Sequence, residues 1–332
     1  MIAGSEPPVA VLYIAGSGRS GSTLTDVLLD NHPSIVGVGE LTNLVRGGFL
    51  GDRTCACGVS PAACPFWAEV RSAWQRRTAG LDLGGYVRLQ EQFDWRALWT
   101  GLVDERTRQS PAFSRYAEWT VALYQAIREV SGKPWIVDSS KLPARAAALA
   151  LMARIDLRVL HLVRDGRGVV YSVNKAMSSR ASLSGPAVRV SRSGWRTALF
   201  WTIVNLRAAA LRRRLPPARS LRVRYEDLVT EFPETARRLG NFMGLDFDAL
   251  SRRVTAGEEF RRGHAVAGNR VRKVTSLRVR PDFEWRDRLA PRDRRIVWLI
   301  AGWLLRTYGY GHDGSIDRRG HRGHNKQATA GD

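Results

Sequence analysis

The sequence predicts an α/β fold, a parallel β-sheet of about five strands flanked by helices and carrying a helical cap insertion. Three observations support this. Five short apolar runs, Val9–Ala15, Ile35–Val38, Pro134–Val137, Leu157–Val163 and Leu221–Arg224, alternate with segments of helical period, the pattern of strands joined by crossover helices. The first run leads directly into a glycine-rich turn, "GSGRSGST" at 16–23, and then a helix-like stretch, "TLTDVLLD", which makes the sheet P-loop-type. Residues 39–133 are too long an interval for a crossover, so they are expected to form a helical cap at about 66–131, beside the sheet.

Each remaining element follows from its residues. Within the insertion, Phe93, Trp95, Trp99, Phe113, Tyr116 and Trp119 are expected in a core, because large aromatics are buried more often than they serve as ligand contacts. After the fourth strand, a Ser/Gly-rich stretch precedes "GWRTALFWTIVNLRAAALRRRL", which reads as a mobile loop followed by a lid helix. "IVWLIAGWLL" at 296–305 is too short to span a bilayer and reads as a buried core helix. Residues 1–8 are expected to be an N-terminal tail, 9–312 the domain, and 313–332, which lack apolar periodicity, a disordered basic tail.

The net charge of +21 is unevenly spread: residues 1–150 hold 15 Lys+Arg against 14 Asp+Glu, and the remainder 37 against 17. Such a field favours a polyanionic ligand, nucleic acid or an anionic lipid surface, and leaves peripheral contact with an anionic membrane open. The first apolar run has no cationic cluster before it and is too short for a secretory signal, so a cytoplasmic location is expected. Cys55, Cys57 and Cys64 fall in "CACGVSPAACPFW". A zinc site needs four ligands and the only nearby histidine is His32, so one local disulfide or three free thiols is expected, and no metal site. Oligomeric state is not legible.

The glycine turn raises a chemical question. Gly16, Gly18 and Gly21 let backbone N–H groups converge on phosphate oxygens, and the helix beginning near Ser22 adds its positive dipole end. A nucleotide kinase would carry lysine where Ser22 stands, and a metal-holding carboxylate beyond another strand. Here the loop carries Arg19 instead, and Asp165 lies in the basic turn "LVRDGRG". A cradle with its own cation needs no magnesium.

"GRSGSTL" resembles the 5′-phosphosulfate loop of the sulfotransferases that use 3′-phosphoadenosine 5′-phosphosulfate (PAPS). Arg19 matches the family's cationic position, as in members acting on protein tyrosine, and Gly18, Ser20, Gly21, Ser22 and Thr23 complete the loop. The resemblance implies a second site for the donor's 3′-phosphate, an Arg at a strand end and a Ser eight residues on. "VLHLVRDGRGVVYS" supplies Arg164 and Ser172. "VRYEDLV" resembles the segment whose tyrosine, here Tyr225, contacts the adenine region, and "GNRVRK" resembles the loop closing over the 3′-phosphate, implying Gly268, Asn269 and Arg270, with Arg272 a further candidate.

Sulfuryl transfer is an in-line displacement that needs a base for the acceptor proton and cations for the leaving phosphate. Glu40 in "VGVGEL" lies just beyond the second strand, at the edge that carries the loop. The resemblance to the tyrosine-protein branch makes it the implied base. "VDSSKLP" resembles the segment in which cytosolic members carry a catalytic histidine; here the residue is Lys141, suited to grip a bridging oxygen, with Ser139 and Ser140 nearby. The implied product is 3′,5′-diphosphoadenosine, and no metal is implied. The implied acceptor is hydroxylated or an amine: a small molecule, glycan or lipid. The competing readings are a P-loop nucleotide-dependent kinase and a basic nucleic-acid-binding protein, the latter with no recognisable reading module.

Overall fold

The computed structural model describes residues 6–101, 103–181, 194–266 and 276–317. Five strands, β1 (Val9–Ala15), β2 (Ile35–Gly39), β3 (Trp135–Lys141), β4 (Ile155–Val163) and β5 (Ser220–Arg224), form one sheet in the order β2-β3-β1-β4-β5. All four pairings are parallel. Their continuous apolar runs reflect burial on both faces: Val9, Val11, Tyr13 and Ala15 of β1 enter one core, Leu12 and Ile14 the other.

Fourteen helices are described: α1 (Ser22–Asp30), α2 (Pro65–Arg77), α3 (Leu83–Gln90), α4 (Ala97–Thr100), α5 (Glu105–Arg108), α6 (Pro111–Ser131), α7 (Pro143–Ala150), α8 (Gly166–Ala181), α9 (Gly194–Arg214), α10 (Tyr225–Thr230), α11 (Phe232–Met243), α12 (Asp248–Thr255), α13 (Trp285–Arg288) and α14 (Pro291–Thr307). One face of the sheet is covered by α1, α10, α11 and α12. The opposite face is covered by α6, α7 and α9, with α2 packed on α6. The inserted helices therefore form a layer on the sheet itself instead of sitting beside it. Phe93, Phe113, Tyr116 and Trp119 are buried there as expected, whereas Trp95 and Trp99 are 45% and 58% exposed.

A buried polar network ties this layer to the sheet. Arg145 of α7 is fully buried and pairs with Asp94 at 3.0 Å and with Asp138 of β3 at 3.3 Å. Tyr116 and Tyr124 of α6 donate to the same two carboxylates, each at 2.6 Å. Each buried charge thus has an opposite charge and hydrogen bonds, without which its desolvation would be prohibitive.

Two expectations are corrected. The helix α9 is not a lid: Ala198, Trp201, Val204, Asn205 and Ala208 are buried, so it is part of the core, while the Ser/Gly stretch before it lies outside the described residues. Nor is α14 buried all round. Val297, Ala301, Leu304 and Leu305 form one inward stripe, the i, i+4, i+7, i+8 spacing of an amphipathic helix, and Leu299 and Trp303 are exposed. The described residues extend on both sides of 9–312. Glu6 pairs with Arg77 and Arg128, and residues 313–317 turn back so that Asp317 O accepts from Arg224 at 2.9 Å and Gly314 O from Arg286 at 3.0 Å. A short antiparallel pair, β6 (Phe260–Arg261) with β7 (Ser276–Leu277), was not anticipated. No helix among the described residues is long and apolar enough to cross a membrane.

Beyond β4 and β5 lies a second buried polar cluster. Asp165 and Arg167 pair at 2.7 Å. Glu226 accepts from the Asp165 N–H at 3.1 Å and from Tyr310 at 2.7 Å. Burial, reinforced by the Asp165 carboxylate, pushes Glu226 up to about 7 from 4.5. The folded chain holds this proton more tightly than the unfolded one. The resulting stability is fully present below about pH 4.5 and is lost as pH rises through about 7, a loss of about 3 kcal/mol. Burial lowers His161 to about 3, which acts oppositely: its contribution is lost as pH falls below its ordinary value. Glu226→Gln keeps the shape and removes the titration. Denaturant unfolding at pH 5 and pH 8 should therefore show the variant gaining about 2–3 kcal/mol relative to wild type over that interval, part of the loss having already occurred at pH 5, with the His161 contribution cancelling. Parallel pH profiles would contradict the assignment.

Candidate functional site

The glycine turn joins β1 to α1. Gly21 caps α1 in the left-handed region, with φ 91°. A Cβ there would lie 2.5 Å from the Tyr225 ring, so only glycine lets the loop approach that side chain. Gly16 N–H donates to Lys141 O at 3.1 Å, fastening the loop to the end of β3. Among the described residues, the two non-glycines with positive φ are Arg19 (70°) and Lys141 (73°), the two candidate catalytic cations. A left-handed backbone costs such residues free energy and persists only where surrounding structure enforces it.

Two register shifts aim the neighbouring groups. The β1/β3 ladder shifts between Tyr13 and Ala15, opposite Asp138 and Lys141. The β2/β3 ladder shifts between Gly37 and Gly39, immediately before Glu40. Lys141 Nζ donates to Glu40 Oε1 and, at 3.1 Å, to Ser139 O. Asn43 Nδ2 donates to Glu40 Oε2 at 2.9 Å, so both oxygens of the carboxylate are held. Ser139 and Ser140 hydrogen-bond to Asp26 and Asp138, and Ser140 Oγ also accepts from Thr42 N–H at 3.1 Å. Their contacts brace the end of β3.

Across the sheet edge, Arg19 Nε donates to Ser172 Oγ at 3.0 Å, and its Nη2 donates to Ser172 O at 3.1 Å. Arg164, after β4, donates to Arg19 O at 3.2 Å, pairs with Asp282 at 3.1 Å and lies over the Tyr225 ring at 4.4 Å. Its Nε is buried and has no hydrogen-bond partner among the described residues. Gly18, Arg19, Gly21, Ser22, Thr23, Glu40, Lys141, Arg164, Ser172 and Tyr225 all line one cleft of about 420 Å³. Ser20 is buried within the loop, and its Oγ has no partner among the described residues. Gly268, Asn269, Arg270 and Arg272 lie outside the described residues.

The cleft also includes Arg278, Arg280 and Asp282, which sequence reasoning missed. The alternating cations of "SLRVRPD" were the available signal. A second cavity of about 460 Å³ shares Gly18 and Arg19 with the cleft and is otherwise mainly apolar, lined by Trp99, Val169, Val173, Trp195, Leu199 and Phe200 among others. Here the exposed Trp99 finds its place, 6.3 Å from Phe200 between ring centroids.

At the cysteines the fold supplies a neighbour that the ligand count lacked. Cys55, Cys57 and Cys64 converge not with His32 but with His264, and the four ligand atoms lie within 4.8 Å of one another. All three thiols are free, the second of the two expected alternatives. The fourth group comes from a segment 200 positions beyond Cys64, which no local spacing could reveal.

The sulfotransferase family model matches residues 60–249. No curated protein matches the chain. Among solved structures, a sulfotransferase of Mycobacterium avium aligns over 93% of this chain and 79% of its own at 14% identity, TM-score 0.50. Sulfotransferase domains from the curacin biosynthetic pathway and from the Synechococcus PCC 7002 olefin synthase align at 17% and 20% identity, each with TM-score 0.45, over 90% and 89% of this chain and 97% and 95% of theirs. With more than half of its length matched by the family model, on a fold shared with a solved sulfotransferase, this chain belongs to the PAPS-dependent sulfotransferase family, enzymes that transfer a sulfuryl group from a nucleotide donor.

Proposed function

We propose that the 420 Å³ cleft binds PAPS and that the adjoining apolar cavity takes a hydroxylated acceptor with an apolar or aromatic body. One observation carries this reading: the loop of Arg19, the Glu40/Lys141 pair and the Arg164/Ser172 pair line one cleft, and Gly18 and Arg19 are shared with the apolar cavity. The fit to a bisphosphorylated nucleotide is supported by the unpartnered buried Arg164 Nε and by the glycine turn that a Cβ at Gly21 would block.

In this assignment the N–H groups of residues 18–23 and the α1 dipole hold the 5′-phosphate. Arg164 and Ser172 hold the 3′-phosphate, joined by Gly268, Asn269 and Arg270, and Tyr225 contacts the adenine region. The bound donor supplies an activated sulfuryl group whose leaving group is a nucleotide phosphate. Glu40 accepts the acceptor's proton while the acceptor oxygen bonds to sulfur and the bond from sulfur to the phosphate oxygen breaks. Arg19 and Lys141 meet the charge gathering on the departing oxygen. These cations occupy the place of magnesium in the kinases, so the chemical step needs no metal. The acceptor is a small molecule, glycan or lipid, and the enzyme works in the cytoplasm.

Labelled donor should transfer its sulfuryl group to apolar phenols or alcohols at a rate unchanged by added magnesium. Glu40→Gln should lower kcat by about 10²- to 10⁴-fold, the usual worth of a positioned base, with donor KM little altered. Unimpaired turnover in that variant would move the base elsewhere. Trp99→Ala and Phe200→Ala should each raise acceptor KM about tenfold, as loss of an aromatic anchor does, while leaving donor KM unchanged. Equal effects on both KM values would place the acceptor outside the apolar cavity.

A further inference from the structure

We propose that Cys55, Cys57, Cys64 and His264 form a structural zinc site that pins the 264–266 segment to the end of β2, beside Glu40.

Three of the six distances among the ligand atoms come close to those of a tetrahedral cage, and the others lie within 4.8 Å. With Zn–S near 2.3 Å and Zn–N near 2.0 Å, the edges of the tetrahedron are about 3.8 Å between sulfurs and about 3.5 Å between sulfur and nitrogen. Cys64 Sγ lies 3.8 Å from Cys55 Sγ and 3.2 Å from His264 Nδ1, and Cys55 Sγ lies 3.9 Å from that nitrogen. Three thiolates and an imidazole suit zinc and not the hard cations. Four protein ligands leave no open position, which marks a structural site and separates it from the sulfuryl chemistry. A disulfide needs sulfurs about 2.05 Å apart and would leave one thiol and His264 without a purpose.

The surrounding sequence is built to hold these ligands, and it explains a motif that the transfer reaction does not use. In "CPFW", Cys64 is the ligand and Pro65 opens α2. Phe66 stacks on the His264 ring, with centroids 5.1 Å apart and planes at 12°. The indole N–H of Trp67 donates to His264 O at 2.6 Å. In "CACG", the turn is closed by Gly58 N–H to Cys55 O at 3.0 Å and Cys55 N–H to Val59 O at 2.7 Å. Ala56 N–H reaches Ala265 O at 3.0 Å, joining the turn to the distant segment. Cys55 and Cys64 are buried while Cys57 is exposed, which gives a metal its entry path.

The consequence reaches the candidate base. Val266, two residues beyond the ligand His264, donates to Val38 O at 3.0 Å and accepts from Glu40 N–H at 2.8 Å. A Cβ at Gly39 would lie 2.4 Å from Val266 O, so the contact is as close as backbone allows. A cation fixing His264 therefore fixes the peptide on which Glu40 rests.

The test is elemental analysis of the full-length protein, purified in reductant without chelator, with a thiol count before and after metal release. About one zinc per chain is expected, with all three thiols shielded until the metal is removed. His264→Ala and Cys57→Ser should both lose it. Cys57 is exposed, so its variant is expected to fold, and a zinc-chelating agent should lower the Tm of wild type but not of Cys57→Ser. Metal-free wild type with three freely reacting thiols, a Cys55–Cys64 disulfide in the peptide map, a different metal, or full zinc retention in either variant would each overturn the proposal.

Discussion

The direction of five strands is the constraint on which the site rests. Because β1 to β5 run parallel, their carboxyl ends share one edge of the sheet. Whatever follows each strand is delivered to the same crevice. Arg19 follows β1, Glu40 follows β2, Lys141 ends β3, Arg164 follows β4 and Tyr225 follows β5. No two of these are close in sequence, yet all line one cleft. The order β2-β3-β1-β4-β5 sets β1 in the centre, so its glycine turn lies between the Glu40/Lys141 group on one side and Arg164 on the other.

Conformational cost is concentrated where the chemistry is proposed. Arg19 and Lys141 both hold left-handed backbone, and a shift in strand register stands just before Lys141 and another just before Glu40. Such positions relax unless the surroundings hold them. Here the holding is polar and buried: Asp138, next to the Ser139–Ser140 braces, is anchored by Arg145 and Tyr124. The inserted helical layer, through Asp94 and Tyr116, thereby positions the end of β3 from behind. The loop side is held by Ser172 and by Arg164, whose Nη1 donates to Arg19 O.

Much of this was legible in the sequence, and the limits have physical causes. The first strand was read to its residue and the others to within a few, because strands buried on both faces are unbroken apolar runs and glycine turns interrupt them visibly. Glu40, Lys141, Arg164, Ser172 and Tyr225 were singled out through the resemblance to a family's motifs, and the fold brings all five to one cleft. What failed was anything set by distant packing. His264 joins the cysteines only through the fold. The inward stripe of α14 was masked by Leu299 and Trp303 on its outer side. Arg278 and Arg280 were lost among many similar arginine pairs.

The central claim is that one nucleotide is held at both phosphates, by the glycine turn and by Arg164 with Ser172. Isothermal titration calorimetry with 3′,5′-diphosphoadenosine against 5′-AMP isolates the second contact. Charge-assisted hydrogen bonds to a phosphate contribute about 1.5–3 kcal/mol each, so the bisphosphate should bind at least about tenfold tighter, and Arg164→Ala should erase that preference. Equal affinity of the wild-type protein for the two nucleotides would contradict the account.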